Sequence, residues 1–390
     1  MYRITVDERR ARLGLRHHLT PANRVGSVTQ VARDMVCLHA TDPATVYLSA
    51  WARLKKPQIT QIDKALYVDK TLVRMLAMRR TLFVIPTEDA PLFHAATLAA
   101  LTRIERHRAH RLVTMLGVAR PGPWLARAKS AALAALERLG EATAQELARK
   151  VPALQRKVRV NEGKQYAGDI GMSGRVLLLL ALEGKVVRGR PRGTWVSSQH
   201  RWAPMTGWLG RPMPKVPLDD ARAGVVQRWL ARFGPGTEAD IRWWTGWTAG
   251  GVRQALATLK AVAVDLDGET GYLLPGDLKP TKQPKPWVAL LPSLDPTTMG
   301  WQARDWYLGN HKRHLFDNNG NAGPTIWADG RIVGGWAIRA KGEVVTRLLE
   351  DIGRERTGMV AAEAARLAEW LDPAPVMPRF PTPLHKEMVK

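Results

Sequence analysis

One short pattern recurs along the first three quarters of this chain and restricts its fold more than any other feature. A helix is followed by a tight turn with a capping hydroxyl, then by one or two short helices, then by a hairpin. In the clearest copy a helical pattern over 124–139 runs through Gly140-Glu141-Ala142 into Thr143-Ala144-Gln145-Glu146. That cap, with an acid three residues on, is a capping box. The basic stretch 155–164 follows, an apolar helix is predicted over 173–183, and 184–196 reads as a hairpin with a Gly/Pro/Arg tip. The next copy has a helix over 218–233, Thr237 capping a short helix with Arg242, Trp243 and Trp244, and a helix over 249–259. Its hairpin, 262–274, turns at Gly268.

The first copy is looser. Helices are predicted over 5–16, over 28–38 behind the cap Ser27, over 59–67 and over 71–78. A strand over 79–86 follows, apolar on both alternating faces and so covered on both. Helices followed by a strand pair is the order of a winged helix, and three such units in tandem are expected. A helical connector, 87–116, joins the first to the second. Residues 275–286 are rich in Pro and Lys without periodicity, which marks a linker. Beyond it lie short strand candidates at 287–292, 325–328, 331–337 and 343–345, with a hairpin turn at Asp329-Gly330, and a helix over 357–370. The fold class is α+β.

Charge narrows the partner. The 59 Lys and Arg exceed the 35 Asp and Glu by 24, a surplus that draws polyanions and favours release of phosphate counterions. It is spread through structured segments, which points to a basic groove and not to a disordered arm. Arg79 and Arg80 beside the first strand, Arg188, Arg190 and Arg192 in the second unit's wing, Arg242, and Arg304 are the candidate DNA contacts. A single cysteine, Cys37, leaves no internal disulfide and no cysteine-rich zinc site. His107 and His110 lack a neighbouring carboxylate or thiol to complete a metal set, so no metal or cofactor is expected. The longest apolar run falls far short of a membrane span, and the N-terminus lacks the apolar core of a signal peptide. A cytoplasmic, nucleoid-associated monomer is expected.

The chemistry is expected at His39-Ala40-Thr41-Asp42-Pro43. In extended backbone His39 and Thr41 share a face with Ala40 behind them. Pro43 holds Asp42 out of helical geometry, and Asp42 suits the N-cap of an apolar segment running through Trp51. Two polar side chains fixed on such a link could orient a water; an Asp-Pro turn with a partly buried histidine is the plain alternative.

This stretch and Ala50-Trp51-Ala52-Arg53-Leu54 resemble motifs of the bacterial winged-helix DNA glycosylases of the AlkZ/YcaQ type, as do Gly234-Pro235-Gly236-Thr237, 290–296 (Leu-Leu-Pro-Ser-Leu-Asp-Pro) and 327–336. The resemblance implies three winged helices (1–117, 118–216 and 217–279), a small β-barrel (280–375) and a tail (376–390) on the surface or disordered. Together they would form a C-shaped, basic DNA-binding cleft. It implies that His39 and Thr41 occupy the catalytic pair, where the family carries Gln-apolar-Gln or Gln-apolar-Asp, with Asp42 and Trp51 beside them. His39 would take a proton from water, as an imidazole titrating near neutrality can. Asp295, Trp301, Arg304 and Tyr307 would help grip duplex DNA. The implied substrates are N7-alkylated purines, including bulky adducts or interstrand crosslinks of genotoxic natural products against which such enzymes confer self-resistance. Loss of both glutamines supports a second expectation, a non-catalytic winged-helix DNA-binding protein.

Overall fold

Local chemistry accounts for the helix starts. In the computed structural model, which describes residues 2–165, 167–339, 342–371 and 376–390, Thr5 caps Val6–Arg16 by accepting from Glu8 N, and Ser27 caps Val28–Asp34 by accepting from Gln30 N. The capping boxes of Thr143 with Glu146 and of Thr237 with Asp240 both form. The helix expected over 28–38 stops four residues early. Val36 takes a positive φ of 64°, a conformation costly for a β-branched residue, and Leu38–His39 then pairs as a strand with Val84 and Phe83.

The segment 71–78 is not helical. Leu72–Leu76 is a strand paired with Leu82–Pro86. A short apolar run buried on both faces carries no period that separates strand from helix. The expected connector helix divides at Leu98 into Ala90–Thr97 and Ala99–Met115.

The chain is α+β. Its five-stranded sheet has the order Leu38–His39, Leu82–Pro86, Leu72–Leu76, Val186–Pro191, His200–Pro204, so strands from the first two expected units share one sheet. The junction is a single rung, Arg74 opposite Arg188. The second hairpin returns at His200, later than 194–196; Trp195 instead packs between Tyr47 and Trp370 at 5.1 and 5.8 Å. In the next sheet Tyr2–Arg3 runs parallel to Val262–Leu266, which pairs with Glu269–Leu273. The C-terminal sheet is an antiparallel meander of Val288–Leu291, Thr325–Ala328, Arg331–Ile338 and Val344–Leu348. Asp329 and Gly330 turn its central hairpin with φ of 47° and 85°, as a two-residue loop with two positive φ values requires.

Residues 376–390 do not form a loose tail. Thr382 caps Pro383–Met388, which buries Leu384 and Met388 and packs on the strand Arg331–Ile338. One hydrophobic core runs from the N-terminal helices through residues 221–256 to this C-terminal sheet, while 109–202 contains a separate one. No helix among the described residues is long and apolar enough to cross a membrane.

Candidate active site

The link 39–42 is held rigid from both sides. His39 is the last residue of its strand, and the Ala40 amide donates to Leu82 O at 2.9 Å. Asp42, extended at φ −97° and ψ 118°, caps Pro43–Arg53 by accepting from Ala44 N at 3.1 Å, with Pro43 at the first helical position. Its other oxygen accepts from the Arg379 amide at 3.0 Å, and the Arg379 guanidinium donates to Thr41 O at 3.2 Å. The C-terminal segment therefore braces the link. Every residue of Pro43–Arg53 is buried, Trp51 beneath the Arg366 guanidinium at 3.8 Å. Ala40 is buried, while His39 and Thr41 are half-buried.

His39 opens into a cleft of about 410 Å³ that it lines with Arg79, Thr81, Trp243, Arg304 and Lys312, together with Gln302 and Asn319. Trp243 lies between two guanidiniums, Arg79 at 4.7 Å and Arg304 at 4.6 Å from its ring. Such cation–π pairs fix both the ring and the charges. Arg304 is further held by its Nε donating to Trp301 O at 2.8 Å. Arg79 sits in a left-handed turn, φ 53°, against Gly246, where a Cβ would stand 2.7 Å from Arg79 Cγ. Three cations and no carboxylate line the cleft among the described residues, a composition suited to phosphates.

Burial sets the state of His39, with help from one of these cations. Burial, and then the Arg79 charge, push its pKa down to about 3. The imidazole is neutral at working pH and a very weak base, contrary to the expected titration near neutrality. The Thr41 amide donates to its Nδ1 at 3.4 Å, so the hydrogen lies on Nε2, and the ring serves as a donor more readily than as a proton acceptor.

Of the expected site residues, His39, Arg79 and Arg304 meet in this cleft, whereas Thr41 is not among its described lining residues. Arg80 pairs with Glu105, and Arg242 is exposed one residue before Trp243. Arg188 lies over Trp202, Arg190 binds Asp63 at 3.1 Å, and exposed Arg192 stands 3.8 Å from Glu146. Asp295 cannot grip DNA. It is fully buried in an ion pair with Arg53, and Trp301 and Tyr307 are buried as well. The sequence reading did not place Trp243, Lys312, Gln302 or Thr81 at the site. Only the Trp243-Trp244 pair beside Arg242 offered a local signal.

The profile of the AlkZ-like DNA glycosylases matches residues 32–370. The chain belongs to this family. Membership implies DNA as the substrate and places the chain among DNA repair glycosylases. The fold is similar to that of the Streptomyces sahachiroi DNA glycosylase AlkZ, with a TM-score of 0.72 at 20% identity over 96% of this chain and 99% of that one. No curated protein matches the sequence. Arg304→Met is expected to weaken duplex binding about equally across sequences and to reduce the slope of log K against log salt by about 1; titrations at several salt concentrations measure this.

Proposed function

We propose that the protein hydrolyses the N-glycosidic bond of N7-alkylated purines in duplex DNA, bulky adducts included. The observation that carries the reading is that the cleft's described lining holds neither a carboxylic acid nor a protonated histidine to protonate a leaving base. His39 is neutral with a pKa near 3, and no carboxylic acid is present among the described lining residues. Ordinary purines leave poorly without such an acid, whereas an N7-alkylpurine is already a cation. As water oxygen bonds to C1′, the C1′–N9 bond breaks and its electron pair neutralises the base, while water's proton passes to solvent. Arg79, Arg304 and Lys312 would hold the flanking phosphates, and those phosphates offset the positive charge developing on the sugar.

In this reading His39 is a positioning donor through Nε2, steadied by the Thr41 amide, while the Thr81 hydroxyl and the Gln302 amide offer the oxygens that orient water. Three winged-helix units and a C-terminal β domain would carry the DNA, a division supported by the repeated cap-turn-helix-hairpin order and the separate core of 109–202. Duplexes bearing N7-methylguanine, read as alkali-labile abasic sites in single turnover, test the proposal. His39→Ala should lower the rate by about ten- to a hundredfold, the scale set by mispositioning. The rate should stay flat between about pH 5.5 and 8.5, and a step near the ordinary histidine value of about 6.5 would refute a neutral His39. Tight duplex binding without any abasic site would establish the non-catalytic reading instead.

A further inference from the structure

A second cavity, of about 370 Å³, lies between one face of the five-stranded sheet and the helix Met172–Leu182. That volume falls in the range of small-molecule sites. Its walls are apolar, formed by Leu76, Leu82, Leu177, Leu178 and Val186, with Trp202 at one side. Two guanidiniums, Arg74 and Arg188, are set into this lining. They are direct cross-strand partners, so their side chains share a face, and like charges placed opposite one another oppose the pairing.

Little within the protein offsets them. Arg74 is only 1% exposed. Its Nη1 bonds His200 Nδ1 at 3.1 Å, while its Nε and Nη2 have no partner. Arg188 stacks on Trp202 with its guanidinium 3.6 Å from the ring centroid. Neither arginine forms an ion pair among the described residues. Asp63, whose charge acts on the same Tyr47 and Tyr67 as that of Arg74, is taken up by Arg190 at 3.1 Å and by the Tyr47 hydroxyl at 2.6 Å. Burial and these two cations push His200 down to about 3, so it stays neutral and adds no charge of its own. Buried charges are ordinarily paired, and here the partner is missing.

We infer that this cavity binds a small organic carboxylate with an apolar body. The carboxylate bridges Arg74 and Arg188, whose planar donor forks match its two oxygens, and the hydrocarbon fills the space beneath Met172–Leu182. A phosphate of the DNA backbone does not fit this lining, because it brings charged neighbours on both sides into an apolar recess. The position gives the ligand structural leverage. Beyond the Arg74–Arg188 rung the two strands part, so an occupant ties the first sheet half to the second without touching the His39 cleft. The inference does not depend on the glycosylase chemistry.

Calorimetric titration and thermal unfolding of the full chain with octanoate test it, with 1-octanol, inorganic phosphate and a short DNA duplex as comparators. Octanoate should bind saturably with a Kd below about 1 mM and raise Tm, as any ligand selective for the folded state does. 1-Octanol should bind at least tenfold more weakly and phosphate not measurably. Arg188→Met keeps the apolar stem and should lower octanoate affinity by about tenfold or more, the usual loss for a charged hydrogen bond. Arg74→Met should do the same while retaining the fold, since it removes an unpaired buried charge. Absence of octanoate binding, equal binding of 1-octanol, or unchanged affinity in both variants overturns the inference. Stoichiometric displacement of octanoate by duplex DNA would also overturn it, by assigning the arginines to a phosphate.

Discussion

Replacing Asp295 by alanine is expected to cost about 3–5 kcal/mol of stability, the range for removing one partner of a buried ion pair. Arg53 and Asp295 are both wholly inaccessible and joined by two bonds of 2.7 and 2.9 Å. Asp295 also accepts from the Ser49 hydroxyl at 2.7 Å and the Thr297 amide at 2.9 Å, and Arg53 donates to the Thr297 hydroxyl at 2.8 Å. Without the carboxylate the guanidinium remains buried and unpaired. Tm should fall by about 4–6 °C, and Arg53→Met combined with Asp295→Leu should recover much of the loss, because apolar replacement of such a pair is often neutral. The glycosylase rate should fall as well. Arg53 ends the helix that Asp42 begins, and the ion pair fastens that helix to the segment preceding Arg304. A variant as stable as the parent would show that the pair contributes nothing net.

That pair also shows where the sequence was legible and where it was not. Caps and turns were read with little error, because Thr143, Thr237 and Asp329-Gly330 act on neighbours within three residues. The local geometry of the candidate link is legible for the same reason: Asp-Pro after a short extended stretch sets its own cap. Asp295 was assigned to DNA because a conspicuous acid in a motif reads the same whether it faces a groove or a distant arginine; its partner is 242 positions away. The strand Leu72–Leu76 is not legible, because burial on both faces erases the periodicity that separates strand from helix. The sandwich of Trp243 between Arg79 and Arg304 joins three segments widely separated in sequence, which nothing local announces. The protonation state of His39 likewise depends on burial beneath distant segments and, second, on Arg79, brought near by a left-handed turn and not by spacing.

The absence of a carboxylic acid and of a protonated histidine from the cleft's described lining leads to the largest expected difference in activity. A positioned general acid accelerates departure of a neutral base by about 10²–10⁴-fold, and the described lining of this cleft offers neither a carboxylic acid nor an imidazolium for that role: its cations are Arg79, Arg304 and Lys312, and its histidine is neutral. A duplex carrying N7-methylguanine should therefore yield abasic sites, while the same duplex carrying hypoxanthine, neutral and dependent on protonation, should yield none above the uncatalysed background. Lowering the pH to about 5.5 should not rescue hypoxanthine, because His39 remains neutral well below that value. Arg79→Met removes the charge that helps depress His39, so the histidine should protonate at a higher pH and the N7-methylguanine rate should acquire an acidic limb absent from the parent. Its DNA affinity should fall in parallel through the lost phosphate contact. Excision of hypoxanthine at a rate comparable to N7-methylguanine would mean that an acid, Lys312 or a group outside this cleft, protonates the base, and the proposed restriction to cationic bases would fall.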